Sequence, residues 1–284
     1  MKTAITGATG QLGQLVVEQL KKRMATENIV ALARHLDKAS GLGVEVRAFD
    51  YDEPALMLEA LQGIDHLLLI SGNAFGQRAR QHSQVIAAAQ KAGVKWIVYT
   101  SLLRADTSGL NIAEEHRATE EALKASGLTY TILRHGWYSE NYTMAIAGAL
   151  KGGAFLGSAQ AGKISSAPRA DYAEAAAIVL SDESYQGKTL ELAGDSAYTL
   201  SDLASEVSKQ RGESLPYQDL PEEAYADILK NIGLPEEMAL ALASWDVSAS
   251  QGDLYDDSHQ LSHILGRPTT AISVSIREAL EHMQ

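Results

Sequence analysis

The fold of this chain is indicated by its first residues, which read Met1-Lys2-Thr3-Ala4-Ile5-Thr6-Gly7-Ala8-Thr9-Gly10-Gln11-Leu12-Gly13. A short apolar strand runs into a glycine-rich turn, and the turn runs into an amphipathic helix. A turn without side chains lets backbone N–H groups approach a pyrophosphate, and the helix adds the positive end of its dipole. An ordinary strand-to-helix turn is the alternative. The context between strand and helix favours a dinucleotide site, whose predicted contacts are Gly7, Ala8, Thr9, Gly10, Gln11 and Leu12.

The composition excludes several classes of chemistry. The 284 residues carry a formal net charge of −12, and such a surface repels nucleic-acid phosphates. The chain has no cysteine, which excludes disulfides, thiolate zinc sites, iron–sulfur clusters and cysteine nucleophiles. We therefore predict neither a nucleic-acid partner nor a metal site.

The location of the protein is predicted from two features. Because the first residues already form a predicted core strand, we expect no signal peptide. No apolar run approaches the length needed to span a bilayer. We expect a soluble, cytoplasmic protein, and a homo-oligomer is compatible with the sequence.

Apolar strands alternate with helical segments as far as about residue 135. The predicted strands are 3–6, 29–33, 44–49, 66–70, 96–100 and 129–133. This order predicts an α/β fold, a Rossmann-like doubly wound parallel sheet with binding residues at the carboxyl ends of its strands. We predict an NADP-binding domain over 1–135.

A smaller C-terminal α/β lobe, closing over the cofactor, is predicted over 136–284. Its predicted elements are a strand at 189–192 and helices at 172–180, 200–210, 222–232 and 236–243. The boundary is soft, because the chain can cross back between the lobes and a strand of this lobe can rejoin the main sheet.

The end of the second strand distinguishes NAD from NADP. An acidic residue there binds the ribose 2′-hydroxyl of NAD, whereas an arginine can bind the 2′-phosphate of NADP. This strand ends in Ala33-Arg34-His35, without a carboxylate. Arg34 offers a planar fork that suits phosphate oxygens, and the alternative is a solvated surface arginine. We predict that NADPH is the cofactor.

The turn after the fourth strand reads Ser71-Gly72-Asn73. Its small residues allow the chain to pass close to a ribose and a nicotinamide. This prediction depends on strand order, and simple turn residues are an equally good interpretation.

The acid of most short-chain reductases is missing from this sequence. Those enzymes use a serine and a Tyr-x-x-x-Lys pair, but here no tyrosine is followed by a lysine four positions later. Ser101 fills the serine position, and His116 and Glu120 stand at helical spacing where the pair is expected. We expect Glu120 to raise the pKa of His116, and we favour an exposed histidine on a charged helix over a proton donor.

A reductase without a proton donor suits a substrate that accepts hydride readily. Quinones and cationic dyes are such acceptors, because water can supply the proton later. The protein then has only to hold nicotinamide and acceptor face to face, with water largely excluded.

The sequence resembles the bacterial type 2 NAD(P)H:quinone oxidoreductases, which are NmrA-like, atypical short-chain reductases. The resemblance is carried by the stretches Thr6-Gly7-Ala8-Thr9-Gly10-Gln11-Leu12-Gly13, Tyr99-Thr100-Ser101-Leu102-Leu103, Arg134-His135-Gly136-Trp137-Tyr138-Ser139-Glu140-Asn141-Tyr142 and Ala193-Gly194-Asp195-Ser196. It covers essentially the whole chain, and triphenylmethane dye reductases are similar at a greater distance.

The resemblance implies NADPH binding without flavin and two-electron reduction of quinones. By position it assigns the pyrophosphate to the first glycine turn, the 2′-phosphate to Arg34, and the ribose and nicotinamide side to residues 71–73. The residues it places beside the nicotinamide are His135, Gly136, Trp137, Tyr138, Ser139 and Glu140.

His135 departs from the family pattern, which has asparagine at this position. Its imidazole could hydrogen-bond a carboxamide or donate to substrate, so His135, Tyr138 and His116 are the candidate catalytic residues. Trp137 and Tyr138 are also candidates for an aromatic wall against a quinone, with core packing as the alternative.

Three other functions remain open at this point. An NmrA-like redox sensor would bind NADP(H) without turnover. A dye, azo or nitro reductase would use the same hydride step. A sugar-nucleotide epimerase ranks lowest, because such enzymes generally need the tyrosine acid.

Overall fold

A computed structural model describes residues 1–283. In chain order its strands are β1 (Thr3–Ile5), β2 (Ile29–Ala33), β3 (Glu45–Ala48), β4 (His66–Leu69), β5 (Trp96–Leu102), β6 (Thr129–His135), β7 (Phe155–Gly157), β8 (Thr189–Leu192) and β9 (Tyr217–Asp219). Its α-helices are α1 (Gln11–Lys21), α2 (Leu36–Ala39), α3 (Pro54–Ala60), α4 (Arg78–Ala92), α5 (Ala113–Ala125), α6 (Glu140–Thr143), α7 (Ile146–Gly152), α8 (Arg169–Leu180), α9 (Leu200–Arg211), α10 (Glu222–Asn231), α11 (Glu236–Ser250), α12 (Gln260–Leu265) and α13 (Ile272–Glu281).

The chain forms two compact units. The first unit contains Met1–Asp106, Ile112–His135 and Arg169–Leu192. The second contains Thr107–Asn111, Gly136–Pro168 and the residues from Ala193 onward. The segment that carries α8 and β8 therefore returns to the first unit after the chain has left it.

A seven-stranded sheet in the order β3-β2-β1-β4-β5-β6-β8 is the centre of the first unit. All of its neighbouring strands pair in parallel. The predicted Rossmann-like α/β fold is confirmed, and strand 189–192 does join the main sheet as β8. Strand order reverses between β1 and β4, so their carboxyl ends form the switch point where ligands bind in open α/β sheets.

The core of the first unit explains why these strands are continuous apolar runs. Every residue of β1, β2, β4 and β5 is buried, as expected for parallel strands covered on both faces. One hydrophobic cluster joins residues from four of the strands with α3, α4 and α5. The helix α1 packs against α8, whose buried residues include Ala173, Ala176 and Ala177.

The second unit contains the parallel pair β7 and β9 and the helices α6, α7 and α9–α13. The predicted helix 236–243 is too short, because α11 continues to Ser250. The sequence interpretation also missed α6, α7, α12, α13 and both strands of the small sheet. Three-residue strands are too short to show an alternating pattern, which explains the missed sheet. Among the helices built from residues 1–283, none has the length and apolar character to cross a bilayer.

Candidate cofactor site

The predicted phosphate turn has a backbone that requires glycine at two positions. Gly7 has a φ of 59°, in the left-handed region that favours glycine. A Cβ built on Gly13 would lie 2.3 Å from the Gly7 carbonyl oxygen and 2.8 Å from the Cα of Ala8. Gly13 therefore allows α1 to start directly against the turn, and the Gly10 N–H closes the turn by donating to the Gly7 carbonyl at 2.9 Å.

The N-terminus of α1 fits an anion. Its N-cap is Gly10, no side chain caps the helix, and its first turn carries no acidic residue. Gly7, Gly10 and Gln11 are exposed, whereas Ala8 and Leu12 are buried. The first-turn N–H groups of a helix have no intrahelical partner, so here they and the helix dipole are directed to an outside group.

Arg34 lies directly after β2, at the same edge of the sheet. Its side chain is exposed, and within residues 1–283 no carboxylate lies within ion-pair distance of its guanidinium group. Asp52 lies nearby but pairs with Arg80, whose Nη2 is 2.5 Å from Asp52 Oδ1. The five donors of Arg34 are thus available to a ligand.

The backbone at Ile70 and Ser71, where the Ser71–Asn73 turn begins, makes hydrogen bonds with side chains of other segments. Past the end of β4, Ile70 N–H donates to Thr6 Oγ1 at 2.9 Å, and the Ile70 carbonyl accepts from the Tyr51 hydroxyl at 3.0 Å. Ser71 N–H donates to Thr100 Oγ1 at 2.9 Å. Side chains here replace the ladder of hydrogen bonds that a longer strand would provide.

Gly72 is held at both of its backbone polar groups. Its N–H donates to His82 Nε2 at 3.1 Å, and its carbonyl accepts from Arg78 Nε at 2.8 Å. Burial, followed by the charge of Arg78, lowers the pKa of His82 to about 3. The imidazole is therefore neutral and able to accept this hydrogen bond.

The environment of His116 differs from the sequence expectation, which was wrong on two counts. Its side chain is buried, with 5% exposure, because α5 packs this face against the polar side chains of β5. Nδ1 lies 2.8 Å from the Tyr99 hydroxyl, and Nε2 lies 3.2 Å from Arg78 Nη1. Burial and the Arg78 charge lower the pKa of His116 well below its ordinary value, instead of Glu120 raising it.

Glu120 contacts other partners than His116. It is 2% exposed, accepts from Ser101 Oγ at 2.6 Å, and accepts two hydrogen bonds from Arg134, at 2.9 Å from Nε and 2.8 Å from Nη2. Ser101 and Glu120 thus form part of a buried ion-pair network at the position where the related reductases have their acid.

His135 ends β6 at the carboxyl edge of the sheet. It is buried, and its ring stacks on that of Tyr172 with the centroids 4.5 Å apart. Burial lowers the pKa of His135 to about 3, so its imidazole is neutral.

The stretch Gly136–Glu140 lies in the second unit. Gly136, Trp137 and Ser139 are buried, whereas Tyr138 and Glu140 are half-buried. Trp137 packs edge-to-face on Trp245 with the ring centroids 5.4 Å apart. This contact supports the core-packing interpretation of Trp137 and leaves Tyr138 as the more accessible aromatic ring.

Comparisons with known proteins agree with the glycine turn and the sheet. A family model described as NAD(P)H-binding matches residues 7–183. The chain belongs to this NAD(P)H-binding family. Quinone oxidoreductase 2 of Escherichia coli K12 is 53% identical over 276 residues, which cover 96% of each chain.

Two solved structures of family members are similar over nearly the whole chain. The NADPH complex of the Escherichia coli quinone oxidoreductase has a TM-score of 0.96 at 52% identity, covering 98% of this chain and 99% of that one. The NADP(H) complex of the Citrobacter triphenylmethane reductase has a TM-score of 0.95 at 33% identity, covering 98% and 100%.

For this member of the NAD(P)H-binding family, the parallel sheet brings most of the predicted first-unit residues to one edge. The glycine turn, Arg34, the Ser71–Asn73 turn and His135 all follow the carboxyl ends of strands. Sequence reasoning missed Arg78 and His82, although their i, i+4 spacing on one helix was a usable signal.

Proposed function

We propose that this chain is a reductase that uses NADPH to reduce quinones by two electrons, without flavin. The main support for the proposal is the glycine turn, which places the uncapped N-terminus of α1 at the switch point of the sheet. The exposed Arg34 follows the neighbouring strand β2 at the same edge. The quinone class comes from the relative with 53% identity over 96% of both chains.

The residues of the first unit fit the phosphates of NADPH. Within Gly7 to Leu12, the first-turn N–H groups of Gln11 and Leu12 would hold the pyrophosphate, since the N–H groups of Ala8 and Gly10 already donate to backbone carbonyls. Arg34 would hold the 2′-phosphate as a charge-assisted fork. The Ser71–Asn73 turn and His135 would lie on the nicotinamide side. Tyr138 is the proposed aromatic side chain for the acceptor.

The chemistry requires little acid catalysis from the protein. When bound, NADPH would supply a hydride, and a quinone that takes up this hydride and one proton becomes a hydroquinone. Because His116 is neutral and both of its ring nitrogens have partners, solvent is the proposed source of the proton. The protein contributes by positioning the reactants and excluding bulk water.

Triphenylmethane dyes are a second candidate class of acceptor. The Citrobacter triphenylmethane reductase shares 33% identity with this chain and the same fold over its whole length. A cationic dye needs only the hydride, so no acid would be required. We also propose a cytoplasmic location, consistent with the −12 charge.

Replacing Arg34 by alanine should weaken NADPH binding by about 1.5–3 kcal/mol and leave NADH binding nearly unchanged, because only NADPH carries the 2′-phosphate. Dissociation constants from the quenching of protein fluorescence would measure both cofactors. Arg23→Ala, an exposed arginine past the far end of α1, is the matched control. Equal losses for NADPH and NADH in Arg34→Ala would contradict the 2′-phosphate assignment.

A further inference from the structure

The segment 70–72 is fixed in place by side chains rather than by a strand. Both polar backbone groups of Ile70, the N–H of Ser71 and both polar backbone groups of Gly72 have side-chain partners. Those partners are Thr6, Tyr51, Arg78, His82 and Thr100. The conformation of the Ser71–Asn73 turn is thus specified before any ligand arrives.

The hydrogen-bond pattern fixes the tautomer of His82. Nε2 accepts from Gly72 N–H, so the ring proton is on Nδ1 and donates to Thr119 Oγ1 at 3.0 Å. The Thr119 hydroxyl then donates to the Glu115 carbonyl at 2.9 Å. The direction of each hydrogen bond in this chain is therefore defined, and His82 Nε2 is a fixed acceptor for the Gly72 N–H.

Arg78 is held by a second set of contacts and is itself only 4% exposed. Its Nη1 donates to His116 Nε2, which leaves the Nδ1 proton of His116 to donate to the Tyr99 hydroxyl. The backbone N–H of Arg78 donates to Glu115 Oε1 at 2.9 Å. His116 therefore orients the guanidinium group that binds the Gly72 carbonyl.

We infer that Arg78, supported by His116, is a positioning residue that fixes the Gly72 turn for the nicotinamide half of NADPH. The inference rests on the proposed function, since it takes this turn to face the cofactor. A turn that is already fixed loses little conformational freedom when it binds, so the arrangement favours both affinity and orientation. His116 thus supports the site through Arg78, at a position where related reductases have part of their catalytic pair.

The test compares Arg78→Met with Arg80→Met. Arg80 lies on the same helix but is exposed and pairs with Asp52, outside the contacts of Gly72. Amide hydrogen exchange of residues 70–73 in the cofactor-free protein should accelerate by about tenfold or more in Arg78→Met and stay unchanged in Arg80→Met. The dissociation constant of NADPH should rise by a similar factor in Arg78→Met alone, and its KM should change more than kcat.

Two further variants test the same inference if Arg78→Met fails to fold. Thr100→Val is isosteric and removes only the acceptor of Ser71 N–H, so it should also accelerate exchange and weaken NADPH binding. Arg78→Lys, which keeps a donor for the Gly72 carbonyl, should recover part of the affinity. Unchanged amide exchange of residues 70–73 in both Arg78→Met and Thr100→Val would contradict the inference that side chains fix this turn.

Two further outcomes separate the inference from the proposed function. Faster exchange with unchanged NADPH affinity would show that the turn is fixed but does not position the cofactor, which overturns the inference alone. Failure of the wild-type protein to bind NADPH would overturn the proposed function and with it the role of Arg78 toward NADPH.

Discussion

An Arg134→Met variant is expected to lose about 3–5 kcal/mol of the free energy of unfolding. Arg134 is 6% exposed and makes a bidentate ion pair with Glu120, which is 2% exposed. Its Nη1 also donates to Glu191 at 2.7 Å. Removing the guanidinium group leaves the Glu120 carboxylate buried, with Ser101 and the more distant Lys124 as partners.

Urea unfolding followed by tryptophan fluorescence would measure this loss. Lys95→Met is the matched control, because Lys95 and Asp65 form an exposed ion pair that should contribute less than about 1 kcal/mol. The double variant Arg134→Met/Glu120→Gln should recover much of the stability, since it removes the uncompensated charge. A loss below about 1 kcal/mol in Arg134→Met would show that this pair does not stabilise the fold.

The polar face of α5 shows why the sequence interpretation of this network was wrong. Charged residues at helical spacing normally indicate a solvated face, and His116 and Glu120 follow that pattern. Their partners Tyr99 and Ser101 lie two residues apart on β5, on the same face of an otherwise mostly apolar strand. Only the tertiary pairing of α5 with β5 reveals that the polar residues face one another.

The glycine turn was predictable because the residues that determine its conformation are adjacent in the sequence. A strand, a turn that needs φ above zero at Gly7, and a helix that starts at Gln11 are all contained in one short stretch. By contrast, the side chains that fix the segment 70–72 come from four separate parts of the chain, and a single sequence does not show which of them meet. Arg34 was partly predictable, because strand order predicts its position at the end of β2 but does not predict its contacts.

The stability of the protein should fall by about 2 kcal/mol or more between pH 7 and pH 5. Burial lowers the pKa values of His82 and His135 to about 3, and that of His116 falls well below its ordinary value. Between pH 6.5 and 3 the unfolded chain then binds more protons than the folded one, so stability is lost on acidification. His82 and His135 each account for about 2 kcal/mol at pH 5, and His116 adds a loss in the same direction.

Asp246 opposes this trend. Burial raises its pKa to about 7, so the folded state binds the extra proton between pH 4 and 7 and gains stability on acidification. Its carboxylate accepts from Ser158 N–H at 2.9 Å, a bond that an amide oxygen can preserve. We therefore expect Asp246→Asn to increase the loss between pH 7 and 5 by about 2 kcal/mol.

His135→Asn should change the same pH dependence in the opposite direction. It removes one buried imidazole, so the loss between pH 7 and pH 5 should shrink by about 2 kcal/mol. Urea unfolding at both pH values measures the two variants side by side. The same pH slope in wild type, His135→Asn and Asp246→Asn would contradict the assignment of these groups.

Flavin-free reduction of quinones by NADPH is tested most directly by NADPH oxidation with a small quinone, using protein whose absorbance spectrum shows no flavin. The absorbance of reduced nicotinamide follows the reaction. We expect rapid turnover, faster with NADPH than with NADH, and formation of one hydroquinone for each NADPH consumed. Tight NADPH binding without turnover on quinones or triphenylmethane dyes would contradict it and indicate a cofactor-binding sensor instead.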